Sequence, residues 1–207
     1  MPRPHREISF ALAERDPVLA GLVEQHGPMH LPPPPRASQR FEQLARSIAF
    51  QQLAGRAAST IWGRVRALVP GEFTPDAVLA IPPSELAGAG LSRAKTVSII
   101  DLAEHVADGR VALDRIGRAP DAVIVEHLTA VRGIGPWTAQ MFLLFTLHRL
   151  DVWPTGDLGV RVGFGKAWGL PQAPTPVELE QRGELYRPWR SVVAWYCWRA
   201  ADTTTPD

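Results

Sequence analysis

Apolar residues recur along this chain at spacings of three and four, the period of helices that bury one face. In SQRFEQLARSIAFQQ, Phe41, Leu44, Ala45 and Ile48 share a side, with Ser38 expected to cap the start. GRAASTIWGRVRALV (55–69) repeats the pattern with Ile61, Val65 and Leu68. PDAVIVEHLTAV (120–131) carries Ile124, Leu128 and Val131, and Met141, Leu144 and Phe145 form a stripe beyond it. Start and stop signals frame further helices. Asp16 and Pro17 open one that Gly27 ends, Thr74-Pro75 and Ser84 open short ones, and Ser92 opens one that Gly109 ends. The segments TGDLGVRVGFGKAWG, TPVELEQRGELY and RPWRSVVAWYCWRAAD read as the last three. Pro32 to Pro35 form a stiff extended connector. No alternation of period two and no internal repeat is visible, so the pattern predicts an all-α fold of about ten short helices.

A chain of 207 residues with 45% apolar content can bury a core as one domain or two small lobes. Cys197 is the only cysteine, which excludes a disulfide framework and any multi-cysteine zinc or iron–sulfur site. The N-terminal stretch lacks the apolar run of a secretory signal, and no uncharged run approaches the roughly 18 residues of a membrane span. A soluble cytoplasmic protein is expected. Net charge is only +1, yet of 22 basic residues only Lys95 and Lys166 are lysines. Arginine excess suits a phosphate-contacting surface, and equally a codon bias.

The sharpest local signal is VRGIGPWTAQMF (131–142), two helices joined by Gly133-Ile134-Gly135. Glycine at both positions permits positive φ and close approach of another backbone, while Ile134 can plug inward. Free amides at the second helix's start, with its dipole, favour a phosphate oxygen, and carbonyls of the same turn can hold a monovalent cation. A plain helix–helix connection accounts for the same residues.

LTAVRGIGPWTAQMF followed by DVWPTGDLGVR, with RSIAFQQLAGRAASTIW upstream and YRPWRSVVAWYCWRA at the end, resembles the helix–hairpin–helix/Gly-Pro-Asp superfamily of DNA glycosylases. The branch it is most similar to is that of the 3-methyladenine DNA glycosylases II, over roughly residues 16–200. The resemblance implies a two-lobed helical glycosylase fold without the N-terminal mixed-sheet domain of larger members. One lobe would span 38–150 and carry the hairpin (about 120–148). The second would comprise 1–37 and 151–207, with the catalytic acid at the interface.

The resemblance also assigns roles. Asp157, at the start of a helix whose dipole favours negative charge, would stabilise the oxocarbenium-like transition state and activate water. Helix capping and an i,i+4 pair with Arg161 are the bland alternatives. Asp151 is the rival carboxylate, read as a structural partner. Trp137 stands where strand-nicking relatives carry a nucleophilic lysine, and the four C-terminal cysteines of endonuclease III-type relatives are missing. Both departures imply a monofunctional enzyme that leaves an abasic site. Trp137, Trp198 and Trp153 would line the base pocket, favouring a cationic alkylated purine through their electron-rich faces. Met141 lies where a further pocket aromatic can occur. Trp189 and Trp195 are read as core.

Gly133, Ile134, Gly135 and Thr138 would contact the DNA backbone, and the carbonyls of Thr129, Val131 and Ile134 would bind sodium or potassium. Gln52, with Leu53 as the alternative, would fill the gap left by a flipped nucleotide. No cofactor is expected for the chemistry. The partner expected is double-stranded DNA with alkylated bases, met by a monomer at the nucleoid. Two alternatives stand beside this reading: a non-catalytic DNA-binding or damage-sensing protein, and a glycosylase for deaminated or mismatched bases.

Overall fold

The helical periods translate into twelve α-helices, seen in a computed structural model that describes residues 5–53 and 55–201, with no strand among the described residues. The extreme ends of the expected second lobe and Ala54 of the expected wedge stretch lie outside the described residues. The chain divides into two compact units, residues 1–34 with 143–207 and residues 35–142. The expected division at 37/38 and 150/151 is therefore displaced to 34/35 and 142/143. Leu143 to Leu150 belong with the first unit, where the Leu143 carbonyl accepts from the Arg149 amide and the Arg149 carbonyl from the Ser191 hydroxyl.

The first unit holds α1 (His5–Ala13), α2 (Pro17–His26), α10 (Leu158–Ala167), α11 (Pro176–Gly183) and α12 (Arg190–Ala200). Helix α12 is its axis: every residue from Arg190 to Trp198 is buried, and α10, α2 and α1 pack around it. The closest crossing is at Gly163 of α10, where a Cβ would stand 1.7 Å from the Cys197 carbonyl oxygen. Asp16 caps α2 by accepting from the Val18 amide, as the sequence signal requires, and also accepts from Trp168 Nε1 and the Tyr186 hydroxyl. Helix α1 has no counterpart among the expected elements: its buried face is only Ile8, Ser9 and Leu12.

The second unit holds α3 (Arg40–Phe50), α4 (Gly55–Ala67), α5 (Pro75–Leu79), α6 (Pro83–Gly88), α7 (Arg93–Ala107), α8 (Asp121–Thr129) and α9 (Pro136–Met141). Here α7 is central, packed by α3, α5 and α6. The expected caps Thr74 and Ser92 are in place, accepting from Ala77 N and Lys95 N. Two others shift. Ser38 sits inside a 3-10 turn (Ala37–Gln39) ahead of α3, and α6 starts at Pro83 rather than after Ser84. The stripe expected through Met141, Leu144 and Phe145 is broken by a wide π turn at Phe142–Thr146, which buries Leu144 but leaves Phe145 half-buried.

Candidate active site

In the first unit Asp157 is reached through a tight turn whose amide at 157 donates to the Pro154 carbonyl. It takes an extended conformation (φ −75°, ψ 122°) and is the N-cap of α10, one position before the first turn. Its Oδ1 accepts from the Val160 amide at 2.8 Å and from Trp198 Nε1 at 3.0 Å. The residue is 9% exposed. The carboxylate thus sits at the positive end of a helix dipole, gripped by a backbone and an indole donor. Gly163 makes the second grip possible: with no side chain there, α12 comes close enough for Trp198 to reach the acid.

That arrangement changes the role of Trp198. It is 1% exposed and leans on Phe145 with ring centroids 5.7 Å apart, so it orients Asp157 rather than offering an open wall to a base. Trp153 is also core. It donates to the Leu179 carbonyl at 2.9 Å, and Gly183 lies so close that a Cβ would stand 2.2 Å from its Nε1. Trp195 is buried, while Trp189 is half-buried near Arg15. The rival acid Asp151 is held by Arg187 Nη1 at 2.6 Å and by the buried Arg190 through Nε at 2.7 Å, which fits a structural partner. Arg161 Nε donates to the Pro174 carbonyl. Burial pushes the Cys197 thiol upward, and the nearby Asp157 charge adds to it.

In the second unit the glycine hairpin joins α8 to α9. Only Gly133 has the left-handed conformation (φ +80°), and a Cβ there would stand 2.3 Å from Ser98 Oγ. Gly135 is extended (φ −92°, ψ 175°) and caps α9, so the expectation of two positive-φ glycines holds for one. Extended backbone lets Pro136 enter the helix at N1. A Cβ on Gly135 would meet nothing within 4 Å, so its bareness serves no internal packing. Ile134 is 3% exposed and plugs inward as expected. Thr138 is buried, its hydroxyl accepting from Gln51 Nε2 at 3.2 Å, so its side chain is an internal link and not an open DNA contact. The Val131 carbonyl already accepts from the Ile134 amide.

Trp137, on the first turn of α9, is 41% exposed, whereas Met141 is buried. Of the four side chains expected around a base, Trp137 alone presents a large open surface. Gln52 is exposed and left-handed (φ +56°), beside Leu53 at 40% exposure, on the turn that leaves α3. A cavity of about 510 Å³ in this unit lies between α6 and α7, lined by Arg93, Val97, Ile100, Asp101 and Glu104 among others and by none of these residues. Sequence reasoning missed Gln51, Lys95, Ser98 and Asp101, which surround the hairpin and the turn after α3. Their spacing on α7 (95, 98, 101) was readable, but nothing marked what they touch.

Among known proteins, DNA-3-methyladenine glycosylase 1 of Schizosaccharomyces pombe is 34% identical over 172 residues, covering 80% of this chain and 75% of the relative. The structure of the 3-methyladenine DNA glycosylase of the same yeast in complex with abasic DNA matches with a TM-score of 0.83 at 30% identity, over 93% of this chain and 95% of that one. A DNA-3-methyladenine glycosidase structure from Bacillus halodurans matches with a TM-score of 0.84 at 35% identity, over 95% and 89%. Residues 45–188, which span the hairpin and the capped acid, match the HhH-GPD superfamily of base excision DNA repair proteins. The chain belongs to that superfamily.

Proposed function

We propose that this chain is a DNA glycosylase of base excision repair that hydrolyses the N-glycosidic bond of alkylated purines. The observation that carries the reading is the Asp157 carboxylate, fixed at the N-cap of α10 by the Val160 amide and the Trp198 indole, in a chain of this family. As the bond from C1′ to the base nitrogen breaks, the base leaves with the electron pair and positive charge grows on the sugar. A carboxylate already oriented by two donors stabilises that charge without reorganising. Water then attacks C1′, its proton passes to the carboxylate, and an abasic sugar remains. A purine nucleotide alkylated at ring nitrogen N3 or N7 carries a positive charge and its base departs neutral, so for such lesions the pocket need not supply a strong acid. The exposed indole of Trp137 is the face on which such a base stacks.

With tryptophan at 137 no amine stands there to form a Schiff base, so the product is an uncut strand. Backbone amides at the start of α9 take a phosphate oxygen. Each carbonyl keeps a second lone pair, so the Val131 oxygen can still join those of Thr129 and Ile134 around potassium or sodium. Gln52, with Leu53 second, enters the gap left by the extruded nucleotide. The protein works as a monomer on double-stranded DNA at the nucleoid; among the described residues no helix is long and apolar enough to cross a membrane.

The 9% exposure of Asp157 favours a second reading, a DNA-binding protein in which the acid only caps its helix. Incubation with N-methylated duplex DNA, scoring free base and strand cleavage separately, decides between them. Release by the wild type and its loss in Asp157→Asn is expected; equal release by both, or none by either, removes Asp157 from the chemistry.

A further inference from the structure

We infer that Lys95 is a positioning residue for base extrusion, its ammonium holding the end of α3 so that the Gln51–Leu53 turn stays in register with the glycine hairpin. The inference rests on reading Gln52 or Leu53 as the inserted side chain. Helix α3 ends without a glycine cap and with no basic residue in its last turn, and its Phe50 carbonyl is met locally by the Leu53 amide at 3.3 Å. The charge arrives from another helix instead. Lys95 Nζ, on α7, donates to the Ala49 carbonyl at 2.8 Å and the Gln51 carbonyl at 2.6 Å. The residue that follows, Gln52, is held at φ +56°, a conformation that a side chain other than glycine keeps only when its surroundings impose it.

The same turn is tied to the hairpin. Gln51 Nε2 donates to the Gly133 carbonyl at 3.0 Å and to Thr138 Oγ1 at 3.2 Å. From α7, Ser98 lies beneath the bare Cα of Gly133, and Asp101 Oδ2 accepts from the Arg132 amide at 2.7 Å. Lys95, Ser98 and Asp101 recur every three residues, so one side of one helix sets the spacing between the side chain that would enter the duplex and the amides that would hold its backbone. Burial lowers the pKa of the Lys95 ammonium; the two carbonyl acceptors offset what the charge loses in water. Lys166, the other lysine, lies in the last turn of α10 in the other unit.

The test compares kcat/KM for release of one N-methylated purine from a fully paired duplex and from a single strand, together with the fluorescence of 2-aminopurine placed beside the lesion. Extrusion matters only in the duplex. Lys95→Met, which keeps the aliphatic stem, should lower the duplex value at least about tenfold more than the single-strand value, within the range that a misplacement of about 1 Å costs. Lys95→Arg, which keeps a charge and two prongs, should recover most of it. The duplex fluorescence rise should be lost in Lys95→Met. Equal losses on both substrates, or none, overturn the inference. If Lys95→Met does not fold, as judged by circular dichroism, Gln51→Leu must show the same split, and its absence overturns the inference too. Fluorescence needs no chemistry: a wild type that extrudes the base without releasing it would sink the glycosylase reading and leave this one standing. If Lys95→Met shifts the ratio while Gln52→Ala and Leu53→Ala both leave it unchanged, the turn carries no inserted side chain and the inference is overturned.

Discussion

Asp157 carries a cap and, on the proposed reading, the chemistry. The two functions separate cleanly in Asp157→Asn, because both donors from Val160 and Trp198 end on Oδ1, and an amide carbonyl can take both. Asparagine and aspartate cap helices about equally well, so thermal stability should change by roughly a few tenths of a kcal/mol. Base release should fall by about 10²–10³-fold, the scale of removing a preorganised charge from a transition state. A thermal melt and a single-turnover assay on the same preparation check this. Gly133 offers a second separation. Gly133→Ala meets both a left-handed backbone and the Ser98 hydroxyl, itself engaged with the Ala94 carbonyl, and should cost about 1–3 kcal/mol in chemical denaturation. Gly135→Ala meets neither obstacle and should fold normally, so any loss of DNA affinity there is a loss of approach by the phosphate.

Helices set what these residues can reach. The crossing of α10 and α12 at Gly163 brings the Trp198 indole to the acid, and it tolerates no added carbon: the Cys197 carbonyl would stand 1.7 Å from a Cβ. Gly163→Ala is expected to separate the helices, destabilise the protein by roughly 2–5 kcal/mol and impair base release in whatever fraction still folds. Urea titration with activity measured on the folded fraction is the check. Intact melting with full activity would mean that the crossing does not position Asp157. Helix α12 is buried all round from Arg190 to Trp198, and Arg190 is admitted only because Asp151, Glu180 and Glu184 surround its guanidinium. That network anchors the segment leading to Asp157, which is why Asp151 belongs to structure.

The chain as a whole folds as two units built from non-contiguous sequence in one case and a single stretch in the other. The first unit carries a pH dependence. His5 and His148 lie with ring centroids 5.5 Å apart, and burial lowers the pKa of both from the ordinary 6.5, with His148 and His30 adding to the effect on His5. The unfolded chain therefore binds these protons more readily than the folded one, so stability is full above the unfolded pKa and falls as pH drops through 6.5 and below. The melting temperature should decline between about pH 7.5 and pH 5.5, and His148→Asn should flatten the decline. A pH-independent melt would place both rings in water.

The helical class, most helix starts and stops and the hairpin were legible in the amino-acid order because each depends on neighbours a few positions away, whereas the role of Asp157 came only from the resemblance to a family. Asp16, Thr74, Ser92 and Thr175 cap their helices through bonds to residues two or three positions on. Ile134 turned inward because an apolar side chain in a polar turn has no better place. What the order could not reveal were contacts across long stretches of chain. Trp198 supports Asp157 from 41 residues away, and Gln51 meets Gly133 across 82. Tryptophan suits a core and a binding face equally, so only folding could bury Trp153 and Trp198 and leave Trp137 exposed. Lys95 looked like any surface cation until α7 laid it across the end of α3. Local hydrogen bonds and periodicity are written in adjacent residues; burial and distant pairing arise only when helices close on one another.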